Sequence, residues 1–365
     1  MLVGIEEDLE ALVAISSPSG DREGAEATLT LCARSLPERA TLERVPCSSP
    51  DHASDLLARI AGSGEGRIVL LGHLDTVIAH ANHQPLRREG DTWLGSGTVD
   101  MKGGVALSLA LARWIAERPA SFAELAVLLV VDEEWRVRPF AHTQLLADFD
   151  ACLCFEAGER TATSAEGVVV QRKAAGTISV KAHGRAAHAG SNPDAGANAL
   201  LALAEAARAA AALHHPSGPE ALSVVPSMIS AGHAINVVPA EGEMTIDVRA
   251  RDHTSFQAVL AAAASPTTEA TLEAKMVRVW PGMDTREASR ETLEVASERL
   301  GREIVGVARG GASDASHFAA AMPLTIDGLG PRGGHAHSPE EFVRGSSLGE
   351  RMEVAMAIAE ALLYR

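Results

Sequence analysis

Continuous apolar runs alternate with stretches of helical periodicity over residues 1–170. The apolar runs predict strands that are buried on both faces, and they occupy residues 67–71, 125–131 and 151–155. Apolar residues at helical spacing predict helices over residues 5–15, 22–35 and 101–118. Because buried strands alternate with helices, this part of the chain is predicted to form a mainly parallel α/β sheet.

The middle of the chain has a different order of elements: strand, helix, strand, strand, helix and strand. The predicted strands are 176–182, 222–230, 243–250 and 272–280, and the predicted helices are 197–213 and 256–264. This βαββαβ order is typical of a ferredoxin-like α+β sandwich. After Pro281 the pattern returns to helix, strand, helix, strand and helix, the last over 348–364. We therefore predict a discontinuous α/β domain, residues 1–174 and 283–365, with an α+β domain inserted at 175–282.

Composition narrows the class of protein. Apolar residues make up 46% of the 365 residues and charged residues 22%, as in an ordinary globular protein. The net charge of −16 disfavours binding to nucleic acids or to anionic lipid surfaces. The N-terminus is acidic rather than basic, and no apolar run reaches the length of a membrane span. We expect a cytoplasmic protein that binds neither nucleic acid nor membrane.

Acidic residues and histidines gather where the predicted strands end. His73 and Asp75 follow the first buried strand two positions apart, so their side chains point to the same side and one can orient the other. The other such residues are Asp132, Glu133, Glu134 and Glu156 after later strands, Asp100 between glycines, and His335 and His337 in a late glycine-rich loop. Because α/β proteins bind ligands at the carboxyl ends of parallel strands, these residues are candidates for one site.

This set of side chains favours a particular kind of metal site. Nitrogen and oxygen donors together suit a pair of borderline cations such as Zn²⁺ better than Mg²⁺, which prefers oxygen and water. Two metals about 3.5–4 Å apart can share a bridging carboxylate and a bridging water, and a free carboxylate nearby can act as general base. A structural zinc finger is excluded, because none of the four cysteines belongs to the set.

Several motifs in this set carry a resemblance to a known family. They are HLDTV at 73–77, GTVDMKGG at 97–104, DEE at 132–134, CFEAG at 154–158, GRAAHAG at 184–190 and GLGPRGGHAHSPEEFV at 328–343. Over nearly its whole length the chain resembles the di-zinc metallopeptidase family of glutamate carboxypeptidase, aminoacylase, acetylornithine deacetylase and succinyl-diaminopimelate desuccinylase. The resemblance implies an α/β metallohydrolase domain with an inserted lid domain that mediates dimerisation.

The resemblance also implies roles for residues of the predicted α/β domain. The implied metal ligands are His73 and His337 on one metal each, Asp100 as the bridge between the metals, and Glu134 and Glu156 completing one ligand set each. Glu133 is implied to be the general base and Asp75 to orient His73. The peptide bond between Asp100 and Met101 is expected to be cis. The two metals are expected to be Zn²⁺, with Co²⁺ or Mn²⁺ as substitutes.

In the lid, the resemblance implies a homodimer and a substrate-binding role. His188 is implied to reach the active site of a partner subunit and to donate to the oxyanion. Asn236 and Arg249 are implied to bind the carboxylate of the substrate, a task that suits the planar guanidinium of arginine. Gly310 and Gly311 lie before a predicted helix, so their N–H groups either bind an anion there or form a plain tight turn.

Two features depart from the pattern of the family. Residues 135–139 read WRVRP where the family usually has small residues, and this predicts a bulkier and more basic pocket wall. His80, His83 and His335 lie near ligand motifs but match no ligand position. We expect each of these three histidines to be a loop or pocket-lining residue.

The leading prediction is a zinc-dependent hydrolase that cleaves an amide bond next to a free carboxylate. Its substrate would be a small peptide, from which it releases a C-terminal residue such as glutamate, or an N-acyl amino acid. One alternative is a biosynthetic N-acetyl or N-succinyl deacylase. Another, from a different class, is a non-catalytic protein that binds metal or small molecules, which the intact set of metal-centre positions disfavours.

Overall fold

The structure, a computed structural model, describes residues 2–265, 269–322 and 324–363. In this part of the chain the α-helices, numbered in chain order, are α1 (Leu2–Val13), α2 (Arg22–Ser35), α3 (Gly103–Ala116), α4 (Ala199–Ala211), α5 (Phe256–Ala263), α6 (Arg286–Leu300), α7 (Ala315–Phe318) and α8 (Gly345–Leu363). Every predicted helix is present. Where bounds were predicted, both ends of each helix lie within three residues of the predicted ends. No bounds were predicted for α6 and α7. The predicted end of the last helix, Tyr364, lies outside the described residues.

The strands are numbered in the same way. They are β1 (Thr41–Val45), β2 (Asp55–Ala61), β3 (Arg67–His73), β4 (Arg87–Glu89), β5 (Thr92–Leu94), β6 (Glu124–Val130), β7 (Ala151–Cys154), β8 (Glu159–Arg160), β9 (Glu166–Arg172), β10 (Ala174–His183), β11 (Ser223–Ala231), β12 (Glu241–Ala250), β13 (Thr271–Trp280), β14 (Met283–Asp284), β15 (Ile304–Arg309), β16 (Leu324–Ile326), β17 (Gly333–Gly334) and β18 (Phe342–Arg344).

The chain divides into two compact units. The first unit comprises residues 1–171, 283–309 and 313–365, and the second comprises residues 172–282 and 310–312. The short segment 310–312 groups with the second unit, in which the guanidinium of Arg172 donates a hydrogen bond to the carbonyl oxygen of Gly311 at 2.9 Å. The sequence predicted that this segment belongs to the α/β domain and that the inserted domain begins at residue 175.

The first unit is built on a six-stranded sheet in the order β1-β2-β6-β3-β7-β16. Strands β6, β3, β7 and β16 run parallel, and β1 and β2 are added antiparallel at one edge. Successive residues of β3 enter two hydrophobic cores, with Ile68 and Leu70 in one and Val69 and Leu71 in the other. A strand that is buried on both faces therefore has a continuous apolar sequence. The prediction of a mainly parallel α/β fold is confirmed.

Several strands of the first unit were not predicted from the hydrophobic pattern, including β1 and β2. β1 is exposed over four of its five residues, so it has no apolar run to predict it. β2 is mostly buried, but Asp55 and Arg59 interrupt its apolar sequence. Two further small sheets, in the orders β14-β9-β15 and β17-β18-β5-β4, also belong to this unit, and they join segments that are far apart in the chain.

The second unit has one antiparallel sheet in the order β11-β12-β10-β13. Along the chain its elements follow as β10, α4, β11, β12, α5 and β13, which is the predicted βαββαβ order. Its core is formed by one face of the sheet and the apolar sides of both helices, including Ile178, Ile246, Leu203 and Val259. The inserted α+β fold is therefore confirmed.

Length and polarity of the helices bear on membrane association. Among the residues that the structure describes, none of the helices combines the length and the apolar character needed to cross a bilayer.

Candidate metal centre

Three parallel strands bring their polar ends to one edge of the sheet in the first unit. β3 pairs with β6 on one side and with β7 on the other, with His73 opposite Val130 and Leu71 opposite Cys154. Because the strands run in the same direction, the residues that follow them meet at their carboxyl ends. Glu133, Glu134 and Glu156 follow β6 and β7 in this way. The topology therefore explains why acids that are distant in sequence converge.

One group of candidate metal ligands contains His73, Asp100 and Glu156. The Nε2 atom of His73 lies 3.0 Å from Oδ1 of Asp100 and 3.7 Å from Oε1 of Glu156. One ligand atom from each of the three residues lies within 4.8 Å of the other two. The three donors thus face a common point, as the ligands of a single cation do.

A second group contains Asp100, Glu134 and His337. The Nε2 atom of His337 lies 3.0 Å from Oδ2 of Asp100 and 3.2 Å from Oε2 of Glu134. Asp100 belongs to both groups and turns a different carboxylate oxygen toward each histidine. This arrangement suits one carboxylate bridging two cations.

Electrostatics at the centre favour bound positive charge. Hydrogen bonds to Asp100 and Glu134 raise the pKa of His337 to about 10. Burial disfavours charge on His73, but its hydrogen bonds to Asp100 and Asp75 raise its pKa well above the ordinary value. Burial likewise opposes ionisation of Asp100, yet contacts with the two histidines hold its pKa below the usual range. The carboxylates thus create a strongly negative potential that divalent cations would satisfy.

Glu133 is buried at the edge of this centre and belongs to neither ligand group. Burial raises the pKa of Glu133 well above its ordinary value, and the charges of Asp314, Glu156 and Glu134 add to the effect while His73 opposes it. A free carboxylate with a high affinity for protons beside a metal centre has the properties of a general base.

Asp75 connects the ligand groups through hydrogen bonds that the sequence does not reveal. Its Oδ1 atom accepts from the backbone N–H of Glu133 and its Oδ2 atom from that of Glu134, each at 3.1 Å. On the other side, Nδ1 of His73 lies 3.0 Å from the carbonyl oxygen of Asp75 and 3.4 Å from its carboxylate. Asp75 therefore contacts His73 on one side and the backbone of both glutamates on the other.

The turn that carries Asp100 is held by a residue whose role was not predicted from the sequence. The peptide bond between Asp100 and Met101 is cis, as predicted. The buried carboxylate of Glu341 accepts hydrogen bonds from the backbone N–H groups of Gly97, Val99 and Asp100 at 2.8, 2.8 and 3.0 Å. The only sequence signal for this role is the presence of Glu341 in the motif that also contains His337.

The other histidines near the ligand motifs lie outside both groups. Nδ1 of His80 lies 2.8 Å from the hydroxyl of Ser16, and the ring of His335 contacts the ring of Phe342 edge-on. His83 is partly buried, and burial lowers its pKa. Their positions agree with the interpretation of these residues as loop or pocket-lining residues.

The predicted substrate-binding residues lie in the second unit. His188 and Asn236 are exposed and lie on adjacent segments, which are joined by a hydrogen bond from the N–H of Ala189 to the carbonyl oxygen of Asn236 at 2.9 Å. Arg249, on β12, forms an ion pair with Asp247 through Nε and Nη2, each at 3.0 Å. The guanidinium of Arg249 is thus presented as a planar fork to a carboxylate.

Gly310 and Gly311 also belong to the second unit. The carbonyl oxygen of Gly311 accepts the hydrogen bond from Arg172 that was described above. The helix predicted to follow the two glycines, α7, has only four residues and is preceded by the acidic Asp314. A short helix behind a carboxylate is a poor anion site, so the tight-turn interpretation of the two glycines is the better supported one.

Comparison with known proteins identifies the family. The family model described as Peptidase family M20/M25/M40 matches residues 69–361, which is most of the chain. The chain belongs to this family. The resemblance that the motifs indicated is therefore confirmed, and the protein is a hydrolase whose family cleaves amide bonds with the help of metal ions.

Two curated relatives illustrate the range of activities among family members. Carboxypeptidase G2 from Pseudomonas sp. (strain RS-16) is 26% identical over 365 residues, covering 95% of this chain and 86% of its own. A succinyl-diaminopimelate desuccinylase from Stenotrophomonas maltophilia is 29% identical over 326 residues, covering 83% of this chain and 85% of its own. The two relatives are named for different amide substrates, so membership of the family leaves the substrate open.

Solved structures agree with the fold. A tripeptidase from Staphylococcus aureus has a TM-score of 0.78 at 20% identity and covers 100% of this chain and 99% of its own. A Bacillus subtilis protein described as a dinuclear metal binding peptidase from the M20 family has a TM-score of 0.72 at 16% identity, covering 100% and 98%. At these identities the likeness extends to the fold alone.

Proposed function

We propose that the centre holds two Zn²⁺ ions and cleaves an amide bond next to a free carboxylate. In this proposal His73, Asp100 and Glu156 bind one ion, and Asp100, Glu134 and His337 bind the other. The observation that carries it is the position of Asp100, whose two oxygens face two different histidines. Mixed imidazole and carboxylate donors suit Zn²⁺, with Co²⁺ or Mn²⁺ as substitutes.

A further observation supports the fit between these residues and metal ions. Oε1 of Glu134 is buried and makes no hydrogen bond with the residues that the structure describes. A buried carboxylate oxygen without a partner is costly, and a cation coordinated by Glu134 would provide that partner. The proton affinities of His73 and His337 support the same conclusion, because a cation would replace the protons that these rings otherwise hold.

The protein's own residues would then perform the proton transfers. When bound, the metal ions polarise the substrate carbonyl and acidify the attacking water. The carboxylate of Glu133 accepts a proton from that water and passes it to the leaving amine. Asp75 keeps Glu133 and Glu134 in place through their backbone N–H groups. In a dimer, His188 of the second copy would donate to the developing oxyanion.

The substrate in this proposal is a small peptide or an N-acyl amino acid. Arg249 and Asn236 would bind its carboxylate. Nε and Nη2 of Arg249 pair with the carboxylate of Asp247, and in this proposal the substrate carboxylate takes the place of Asp247 at that edge of the guanidinium. The 26% identity to carboxypeptidase G2 over most of both chains favours a carboxypeptidase. The desuccinylase relatives favour an N-acetyl or N-succinyl deacylase as the second candidate.

We also propose a homodimer that forms through the inserted unit. β11 is an edge strand of its sheet, and β12 is its neighbour among the described strands. Apolar side chains on β11 are exposed, namely Val225, Met228 and Ile229. An exposed apolar edge strand is a ready surface for pairing with a second copy. The cytoplasmic location remains a prediction from the sequence.

The proposed function is tested by metal analysis and a substrate panel. We expect two zinc ions per chain and hydrolysis of aminoacyl-glutamate, N-acetyl or N-succinyl substrates that chelation abolishes and Zn²⁺ restores. The variant Glu133→Gln should retain both metals and lose about 100- to 10,000-fold in kcat, the usual contribution of a general base. Wild-type turnover by Glu133→Gln with metals bound would refute the assignment of the base. Full activity after exhaustive chelation would refute the metal centre itself and favour another mechanism.

A further inference from the structure

A further cluster of potential metal ligands lies outside the proposed metal centre. Among the residues that the structure describes, three groups of histidine, cysteine, aspartate and glutamate bring one ligand atom each to within 4.8 Å of the others. Two of these groups form the proposed centre. The third consists of Cys47, Asp55 and Asp132, and it shares no residue with the other two. Donor atoms therefore converge at a second place in the first unit.

The three residues of this cluster come from different segments of the chain. Cys47 follows β1, Asp55 is the first residue of β2, and Asp132 follows β6. In the sheet β2 lies between β1 and β6 and is antiparallel to both, with Val45 at the end of β1 opposite Asp55. The end of β1, the start of β2 and the end of β6 thus meet at one edge of the sheet.

Both carboxylates of the cluster are fully buried and held in place by the backbone. Oδ1 of Asp55 accepts a hydrogen bond from the N–H of Val131 at 3.0 Å, and Oδ2 of Asp132 accepts one from the N–H of Ser49 at 2.9 Å. The buried ring of His142 has its Nε2 atom 2.6 Å from Oδ2 of Asp55. Partners of this kind orient the ligands of metal sites.

The charges in the cluster favour a bound cation. Burial raises the pKa of Asp55, contact with His142 opposes this effect, and the negative charge of Asp132 adds to it. Arg136 lies 3.4 Å from Oδ1 of Asp132 but makes a closer ion pair with Asp314. Oδ1 of Asp132 makes no hydrogen bond with the residues that the structure describes. A buried carboxylate oxygen in this state is costly, and a cation would provide the missing partner.

Cys47 supplies a kind of donor that the proposed centre lacks. Of the four cysteines, Cys47 is partly exposed and the other three are buried. Burial raises the pKa of the Cys47 thiol, and the charges of Asp55 and Asp132 raise it further, so the thiol keeps its proton when no cation is bound. A divalent cation reverses this preference, because a coordinated thiol loses its proton. The partial exposure of Cys47 gives the entering cation and the released proton access to solvent.

We propose that Cys47, Asp55 and Asp132 bind a Zn²⁺ ion at a site separate from the proposed metal centre. A thiolate together with carboxylates suits Zn²⁺ better than Mg²⁺ or Ca²⁺, which prefer oxygen ligands. Three protein ligands leave one position of a tetrahedral ion for water. Because Asp132 directly precedes Glu133 and Glu134, this ion would tie the segment that carries both glutamates to the connection between β1 and β2.

The first test applies X-ray absorption spectroscopy at the zinc edge to the wild-type chain. The ligand groups of the proposed centre contain no cysteine, so a sulfur atom bound to zinc would belong to this site. We expect a zinc–sulfur distance of about 2.3 Å, beside nitrogen and oxygen ligands at about 2.0–2.2 Å. The proposed centre alone accounts for two ions per chain, and this site would add a third. A zinc-saturated protein with no sulfur ligand would overturn the proposal.

The second test identifies the ligands in the cobalt-loaded protein. A thiolate bound to Co²⁺ gives a charge-transfer absorption in the near ultraviolet that imidazole and carboxylate ligands do not give. Cys47→Ala should abolish this absorption and the binding of one ion per chain, and Asp55→Asn should lose the same ion on dialysis. Cys32→Ala is the matched control and should retain both, because the buried Cys32 belongs to none of the three groups. An absorption band that persists in Cys47→Ala would overturn the assignment.

A variant of the proposed centre separates this proposal from the proposed function. His337→Ala should release an ion of that centre and leave the cobalt–sulfur absorption unchanged. If this absorption disappears in His337→Ala, both side chains bind the same ion, and the site is not separate. If the wild type hydrolyses no substrate and the proposed centre holds no metal, the proposed function fails, whereas the zinc–sulfur distance and the cobalt absorption still decide whether Cys47 binds a cation.

Discussion

The carboxylate of Glu341 accepts a hydrogen bond from the backbone N–H of Asp100 at 3.0 Å, although 241 positions separate the two residues in the chain. The same carboxylate accepts the N–H groups of Gly97 and Val99, so one buried side chain holds the whole turn. That turn carries the carboxylate shared by the two ligand groups. The position of the proposed bridging ligand thus depends on a residue that is not itself a ligand.

We predict that Glu341→Gln weakens metal binding about 10- to 100-fold, as the loss of an outer-sphere partner does. The amide has one acceptor oxygen in place of two, and its NH₂ group would face a backbone donor. The measurement is the number of metals retained after dialysis against graded concentrations of chelator. The exposed neighbour Glu340 provides the matched control, because Glu340→Gln should behave as wild type. Wild-type metal affinity in Glu341→Gln would show that the turn keeps its conformation without the carboxylate of Glu341.

A second prediction concerns Asp75, which accepts the N–H groups of Glu133 and Glu134 with separate oxygens. Asp75→Asn would leave one of these N–H groups without an acceptor and would shift one of the two glutamates. We expect kcat to fall about 10- to 100-fold. Steady-state kinetics with metal content measured in parallel provide the test. Asp150→Asn is the control, because the exposed Asp150 also accepts a backbone N–H, that of Arg67 at 2.7 Å. If both variants lose activity equally, the effect does not arise at the centre.

The extent to which the centre could be predicted follows from where its residues lie along the chain. His73 is the last residue of a strand with a continuous apolar sequence, and Glu134 and Glu156 come shortly after two others, so the position of each at a strand end was readable from the local pattern. Glu341 could not be placed in this way, because its partners lie on a turn more than 240 positions away. The pairing of Asp75 with Glu133 depends likewise on the neighbouring positions of β3 and β6, which only the folded sheet establishes.

Dependence on partners that are distant in the chain also explains why β1 and the burial of Arg136 could not be predicted from the sequence. The edge strand β1 has an exposed sequence, and its existence depends on pairing with β2. The sequence predicted a basic pocket wall at residues 135–139, whereas Arg136 is fully buried and pairs with Asp132 and Asp314. Asp314, the second of its acidic partners, is 178 positions away. Burial of a charge is a property of the tertiary structure, so composition around Arg136 could not reveal it.

A third prediction concerns a buried ion cluster that stabilises the loop leading to His337. Glu166 pairs with Arg351 at 3.1 Å, Arg332 at 3.0 Å and Arg160 at 2.7 Å. The buried Arg351 also donates to the carbonyl oxygens of Gly328 at 2.6 Å and Gly330 at 3.2 Å. Removing the charge of Glu166 would leave Arg351 buried without its partner. We therefore expect Glu166→Gln to lower the free energy of unfolding by about 3–5 kcal/mol.

Urea unfolding at pH 7 measures this loss, with the exposed pair of Glu353 and Arg302 as control. Glu353→Gln should cost less than about 1 kcal/mol. The contribution of Glu166 also depends on pH. Burial opposes its ionisation, but the arginines outweigh burial and hold its pKa below the ordinary value. The stabilisation is thus complete above the unfolded-state pKa of about 4.3 and is lost as the pH falls through the lower folded-state pKa. Equal stability of Glu166→Gln and wild type would contradict the prediction.

The last prediction tests whether His188 acts in the site of a second copy. In the proposed dimer each site combines Glu133 of one chain with His188 of the other. The substitutions His188→Ala and Glu133→Gln should each lower the activity about 100-fold or more. After the two variants are mixed, dissociated and reassembled, half of the dimers are hybrids, and each hybrid has one site with both residues intact. Activity should therefore return to about one quarter of the wild-type value.

The controls for this experiment use the edge strand β11. The exposed side chains of Met228 and Ile229 lie on it, and replacing both with glutamate would place like charges on both copies of the proposed interface. This double substitution should yield a monomer by light scattering, and it should abolish the recovery of activity on mixing. Leu42→Glu, on the exposed strand β1 of the first unit, should change neither result. If mixing His188→Ala with Glu133→Gln restores no activity although hybrids form, His188 does not act across subunits, because each hybrid contains one complete pair only when the two residues come from different chains.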